Sequence, residues 1–416
     1  MKTLSTLALA AGLVTMTQPA PAKEKPVPAN TLRLAPAVVK AAGPAQAALQ
    51  AGDATTAEPL VSQVETAAAN DGEKYVAAAL RYRLELLKTA TTPANQPALA
   101  KPLDALIANP RTPAADRGRY YGIRAKMAYQ GKQYPVAIDY ATKARDLGYV
   151  DPDLGLLLVR AKIDNGDVVG GTAELDREIA AKAAKGEKAP AEWYKFAIGQ
   201  SNKRKATPQT VAWMNKYAAA YPSGQTWYEV LATYGLQQDA TAKLDNKQKL
   251  DLFRLMRASG GLPDQYFYIE YAQKAQDAGL PAEAQAVLKE GLANGKIPAA
   301  NTEAKAMLAV ASNSVKIDTP LATQETRANA AATGVAASQT GDAYLSAGNY
   351  PKAAALYRTA LQKGGVDADA VNMHLGIALA RSGDKAGAQA AFAAVKGAPR
   401  ADIASLWTTW LGTTAA

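Results

Sequence analysis

From about residue 36 onward, apolar side chains recur every three or four positions in segments of roughly a dozen to eighteen residues. Short breaks rich in Gly, Pro, Asn and Asp separate them. Alternating Val/Ile/Thr runs are scarce. This spacing predicts amphipathic α-helices joined by tight turns and no sheet, an all-α chain.

Within this pattern a shorter motif recurs. A glycine is followed five residues later by a small residue, and four after that by a larger apolar one. Gly348, Ala353 and Tyr357 show it, as do Gly383, Ala388 and Phe392; Gly279, Ala284 and Leu288; and Gly52, Ala57 and Val61. Gly166, Gly171 and Leu175 fit with glycine as the small residue, and Gly131 with Ala137 is a copy one residue longer. The physical reading is a helical hairpin. The glycine ends helix A in a left-handed turn, where a Cβ is strained. The small residue sits where helix B crosses helix A closely, and the large one, a turn on, is expected to fill the gap toward the next hairpin.

The C-terminal copies carry the fullest pattern. GDAYLSAGNYPKAAALYRTAL places Gly341, Tyr344, Gly348, Ala353 and Tyr357 in order, and LGIALARSGDKAGAQAAFAAV repeats the spacing with Gly376, Gly383, Ala388 and Phe392. These residues resemble the tetratricopeptide repeat family, whose period is about 34 residues. The helix A tryptophan position is Ala337 in one copy and Asn372 in the other, a departure from that pattern. The block Leu250 to Lys296 is also similar to exported proteobacterial tetratricopeptide proteins of unassigned function. The resemblance implies a superhelical solenoid of antiparallel helix hairpins whose concave side binds partner proteins. Helix A residues would line that side.

The organisation follows. Residues 36–310 form an N-terminal helical-repeat array, with a degenerate section at 186–262 that lacks a clean copy. The Ala/Thr/Asn-rich stretch 311–335 reads as a linker, and 336–416 as a tetratricopeptide pair closed by a capping helix that carries Trp407 and Trp410. Ahead of the array, 1–22 has the form of a signal peptide: Lys2, an apolar run from Leu4 to Met16 too short to span a bilayer, and an Ala20-Pro21-Ala22 cleavage site. Cleavage after Ala22 would leave a flexible Pro-rich lead, 23–35, and a periplasmic or secreted protein.

Composition changes this picture in two ways. Of the 416 residues, 94 are alanine, and aromatics make up 7%, so the interior is built from small side chains. There is no cysteine and one histidine, His374. Thiolate chemistry and a two-histidine metal site therefore have nothing to work with, and a Ser-His-Asp triad could draw only on His374. Ser382 to Lys385 matches S-x-x-K, but Gly383 is the turn of a repeat and the partner motifs are lacking. His374, in helix A of the last full repeat, reads as a surface or groove residue. The expectation is a non-enzyme with no cofactor and no metal.

Charge supplies the candidate binding residues. The chain carries a formal +10, and Lys182 to Lys205 is its densest basic segment, bordered by the aromatics from Trp193 to Tyr234. Trp193, Tyr194, Trp213, Trp227 and Tyr228 are candidate partner anchors, with Lys203, Arg204 and Lys205 as a basic rim. The expected partner is a protein or peptide, identity open. The alternative is an adaptor that holds an anionic envelope polymer or lipid head groups through the basic patch and serves envelope assembly or export. In an exported protein, nucleic acid is not an expected partner.

Overall fold

The structure is a computed structural model and describes residues 32–91, 97–151 and 153–414. The signal segment and most of the Pro-rich lead lie outside the described residues. Among those residues the chain forms helices and no strand. It divides into two compact units, Met1–Ala181 and Lys182–Ala416.

The first unit stacks four hairpins: α1 (Pro36–Gln50) with α2 (Ala54–Ala67), α3 (Asp71–Thr91) with α4 (Ala100–Ala108), α5 (Ala114–Gln130) with α6 (Tyr134–Asp146), and α7 (Leu154–Asp164) with α8 (Val168–Ala183). Its interior is not one cluster. Val38, Val61, Val64, Leu80 and Leu84 join α1, α2 and α3. Separately, Tyr82, Leu103, Leu106 and Tyr120 join α3, α4 and α5.

The second unit opens with α9 (Ala191–Lys203) and α10 (Thr207–Ala220). Next comes α11 (Gly224–Leu231), which runs into a π turn (Ala232–Leu236), then α12 (Asn246–Ala258). Four more helices follow: α13 (Gln265–Asp277), α14 (Pro281–Ala293), α15 (Thr302–Ile317) and α16 (Leu321–Ala330). The unit ends with α17 (Val335–Ser346), α18 (Tyr350–Lys363), α19 (Ala368–Ser382), α20 (Lys385–Ala394) and α21 (Arg400–Thr413).

The turn of the repeat is built as its spacing demands. Gly52, Gly166, Gly279, Gly348 and Gly383 all have φ between +73° and +93°. At Gly348 the turn closes with two bonds: the Gly348 amide donates to Leu345 O (3.0 Å) and the Asn349 amide to Tyr344 O (2.9 Å). Except at Gly279, where Leu280 follows, the residue after the glycine then caps the next helix, as Asp53 does for Thr56 N and Asp384 for Gly387 N. The small and large positions are buried in every copy.

One detail differs from the sequence reading. The α5–α6 turn is not one residue longer. Gly131 ends α5 at φ −76°, and Lys132 takes the left-handed place at φ +57°, five residues before the fully buried Ala137. The large residue of helix B faces the next element as expected: Tyr357 meets His374 of α19 and Phe392 meets Trp407 of α21, each at 5.8 Å between ring centres. The same rings also rest on the glycine of their own helix A: a Cβ on Gly341 would lie 2.8 Å from the Tyr357 ring, and one on Gly376 would lie 2.5 Å from the Phe392 ring. These glycines exist for close approach, not for backbone freedom.

The stretch 186–262 contains a hidden copy. Lys205 is left-handed at φ +56°. Thr210 lies five residues on and Met214 four beyond, both fully buried. The Ala206 amide donates to Ser201 O (3.0 Å), the same closure as at Asn349.

The stretch 311–335, expected as a linker, is mostly helix within α15 and α16. Gln285 Nε2 on α14 donates to Ser312 Oγ (2.9 Å), and Lys363 Nζ on α18 donates to the carbonyls of Ala328, Asn329 and Ala331 at the end of α16. Alanine is the best helix former but gives no apolar rhythm to read, so these helices look featureless in sequence.

The second unit closes on itself. On α10, Asn215 donates to Ser405 Oγ (3.0 Å) and accepts from Thr409 Oγ1 (2.7 Å), both on α21. The π turn adds Tyr234, fully buried, whose hydroxyl reaches Pro399 O (3.1 Å) and Asp402 Oδ2 (3.0 Å). As expected of a cap, Trp407 stacks on Phe392 at 5.8 Å between ring centres. At the middle lies α12, in which the seven consecutive residues Leu250 to Met256 are all buried. A helix hidden on every side is a core element, not a wall.

Candidate binding cleft

The aromatic candidates are mostly interior. Trp227, Trp213 and Tyr194 expose 2%, 3% and 6% of their surface. Tyr194 stacks on Tyr217 (6.2 Å) and meets Trp213 edge-on (6.1 Å). These three rings are packing residues and offer no face to a partner. Trp193 and Tyr228 are half-buried, and Tyr228 is held edge-on by Phe267 (5.3 Å). Lys203, Arg204 and Lys205 are exposed together at the α9–α10 turn. Other lysines of this segment lie over rings: Lys188 Nζ is 3.7 Å from the Tyr221 centroid and Lys182 Nζ 5.9 Å from that of Trp193.

The inner side of the second unit, where helix A residues face inward, is filled by α12. His374 on α19, read as a surface or groove residue, is instead pinned between two carboxylates. Its Nδ1 is 2.7 Å from Asp342 Oδ1 on α17, and its Nε2 is 3.0 Å from Asp251 Oδ1 on α12. Tyr357 OH also donates to Asp342 Oδ1 (2.7 Å). Arg254 on α12 donates to both oxygens of Glu283 (2.9 and 2.7 Å) and to Asp251 (3.0 Å), and Tyr271 OH donates to Glu283 (2.7 Å). Arg400 Nε stands 3.9 Å from Asp251 Oδ2. Burial pushes the His374 pKa down, but Asp251 and Asp342 outweigh it and raise it to about 9. Burial disfavours charge on the two aspartates, yet His374 holds both below the usual range. Three carboxylates and three cations thus gather in an internal network around α12, in which Asp251 Oδ2 and Arg400 Nε are buried without a hydrogen bond.

The first unit is different. Between α2 and α4, with α3 as its floor, runs a cleft of about 790 Å³, within the usual range for ligand sites. Its cause is the small side chain. Ala77 belongs to the cluster under α1 and α2, and Ala78 to the one under α4 and α5. Where the two clusters part, no large apolar residue rises from α3 to fill the space. The α2 wall contributes Glu65 and Ala68, and the α4 wall contributes Lys101, Ala105 and Ala108. Asn109 Nδ2 donates to Asp71 O (2.9 Å), fixing the end of α4 beside the start of α3.

The cleft is charged along its length. Arg81, on the floor, donates to Glu65 through Nε (2.9 Å) and Nη2 (2.5 Å), and to Glu58 through Nη1 (2.6 Å). Hydrogen bonding to Glu65 raises the Arg81 pKa further above its ordinary value. Lys88 then Arg81, bonded to Glu58, lower its pKa. Lys74 on α3 and Lys101 on α4 are exposed and make no ion pair among the described residues. The sequence reading missed this region. The readable signal was a stripe of Lys101, Ala105 and Ala108, one face of a short helix with no apolar anchor on it.

No family model matches the chain, and no curated protein matches it. Among solved structures it is similar to the pentatricopeptide repeat protein PPR10 from maize, at 14% identity over 90% of this chain and 61% of that one, TM-score 0.25. The chain thus spans about three-fifths of the maize protein. It is also similar to the APC/C hetero-tetramer Cut9-Hcn1, at 12% identity over 86% of this chain and 78% of that one, TM-score 0.17. Likeness at these scores carries no argument about function. Among the described residues, no helix is long and apolar enough to cross a membrane.

Proposed function

We propose that this protein is a non-catalytic scaffold that holds a segment of a partner polypeptide on its first unit. The observation that carries this reading is the contrast between the two units. The second unit occupies its own interior with α12, whereas the first leaves a cleft between α2 and α4. Stacked hairpins present broad rigid surfaces suited to recognition. A photo-crosslinking residue at exposed Ala105 should give one discrete adduct in cells, and the same residue at exposed Ala355 on α18 should give none. Adducts from Ala355 alone would place the binding surface on the second unit and end this reading.

Export belongs to the same proposal. Lys2, the apolar run Leu4 to Met16 and Ala20-Pro21-Ala22 support it. N-terminal sequencing of protein purified from the envelope should begin at Lys23, and an intact Met1 would remove the localisation. A second reading rests on Lys203, Arg204 and Lys205, exposed on one turn: contact with an anionic envelope polymer or lipid through that hairpin. Binding of that kind falls steeply with added salt, and an affinity indifferent to salt would reject it.

A further inference from the structure

We propose that the α2–α4 cleft takes an acidic α-helix of a partner, with its small residues against the alanine floor and carboxylates reaching Lys74 and Lys101. The inference rests on the scaffold reading above and names the chemistry of its ligand.

The occupant's form follows from the walls. All three lining elements are α-helices, whose mid-helix N–H and C=O groups are bonded within themselves. An extended peptide would lie against them with its own backbone unpaired. A helix arrives with its backbone already satisfied, and alanines on the floor and walls let it approach closely.

The occupant's charge follows from what is left over. Glu65 and Glu85 are bound to Arg81. Asp71 sits in the first turn of α3, where the positive end of the helix dipole favours a carboxylate. Lys74 is left on the floor and Lys101 on the α4 wall. Because the end of α4 lies beside the start of α3, Lys74 faces the later part of α4, and Lys101 stands near the level of Arg81. The two cations are therefore offset by roughly 10 Å along the cleft, at 1.5 Å per helical residue. Acidic residues about seven apart on one face of an incoming helix would meet both.

The test uses the full mature chain and a fluorescent, side-chain-stapled helical peptide of alanine with glutamate at every seventh position. A twin peptide carries lysine in place of each glutamate. Anisotropy should show the glutamate peptide binding at least tenfold more tightly than the lysine twin. The double variant Lys74→Glu, Lys101→Glu should reverse that order. Ala105→Trp, at an exposed position, should abolish binding without changing the helical circular dichroism. Equal affinity for both peptides would overturn the inference, as would undiminished binding by Ala105→Trp. If Ala105 crosslinks to a partner in cells while the charge reversal changes nothing, the scaffold reading stands and the acidic helix falls.

Discussion

Two helices of similar standing, α3 in the first unit and α12 in the second, show how one repeat design reaches opposite ends. On α3 the residues at the junction of neighbouring clusters are alanines, and the space above them stays open. On α12 the corresponding space is taken by Leu250, Leu252, Phe253, Leu255 and Met256, and the charges between them, Asp251 and Arg254, are paired inward with His374 and Glu283. Side-chain volume on one helix, more than the path of the chain, decides whether a stack of hairpins keeps a usable surface.

The largest expected effect strikes only the second unit. Arg254→Ala leaves Asp251 and Glu283 buried with one cation fewer, which should cost about 3–5 kcal/mol. Trp193, Trp213, Trp227, Trp407 and Trp410 are the chain's 5 tryptophans and all lie in that unit. Denaturant unfolding followed by tryptophan fluorescence should therefore shift strongly. An unchanged tryptophan transition would mean that the buried network does not hold the unit together.

Next in size is a pH effect. The His374 pKa is raised in the folded state to about 9 from an ordinary 6.5. The stabilisation is complete below about 6.5 and is lost as pH rises through about 9. The tryptophan-monitored transition should weaken between pH 6.5 and 9.5, and His374→Gln should flatten that dependence. A flat profile in the unaltered protein would show that His374 is not the charged partner of Asp251 and Asp342.

Gly376→Ala should cost about 1–3 kcal/mol, because its Cβ would lie 2.5 Å from Phe392 on the facing helix. Gly348→Val and Gly383→Val, which strain the left-handed turns, should each cost on the order of 1 kcal/mol or more. The smallest effects run the other way and separate the units. Lys132→Gly and Lys205→Gly each relieve a left-handed non-glycine residue and should stabilise by about 1 kcal/mol. Only Lys205→Gly should move the tryptophan transition. If both move it equally, the two units unfold as one.

The left-handed lysines also mark the limit of what the sequence discloses. Where glycine occupies the turn, as at Gly348 and Gly383, both fold and register can be read directly. Where lysine does, the copy slips by one residue or disappears, although Pro135, Pro208 and Pro351 each stand three residues past the left-handed position. The cleft was illegible for a related reason. It is defined by residues too small to leave a pattern, whereas Trp213 and Trp227, which looked like anchors, are packed inside. His374 deceived in the same way, since its partners Asp251 and Asp342 lie 123 and 32 residues away.

The closure of α10 on α21 carries one more consequence. Stacked hairpins that touch only their neighbours can gain or lose a copy with little loss, because stability is a sum of local terms. Asn215 and Thr409 are 194 residues apart in the chain, and Tyr234 and Asp402 are 168 apart. A hairpin inserted anywhere between them would pull these pairs out of reach, and one deleted would leave α12 facing water. The number of helices in this unit is thereby fixed. Its folding must wait for contacts that close very long loops, so it should assemble slowly and all at once, not hairpin by hairpin.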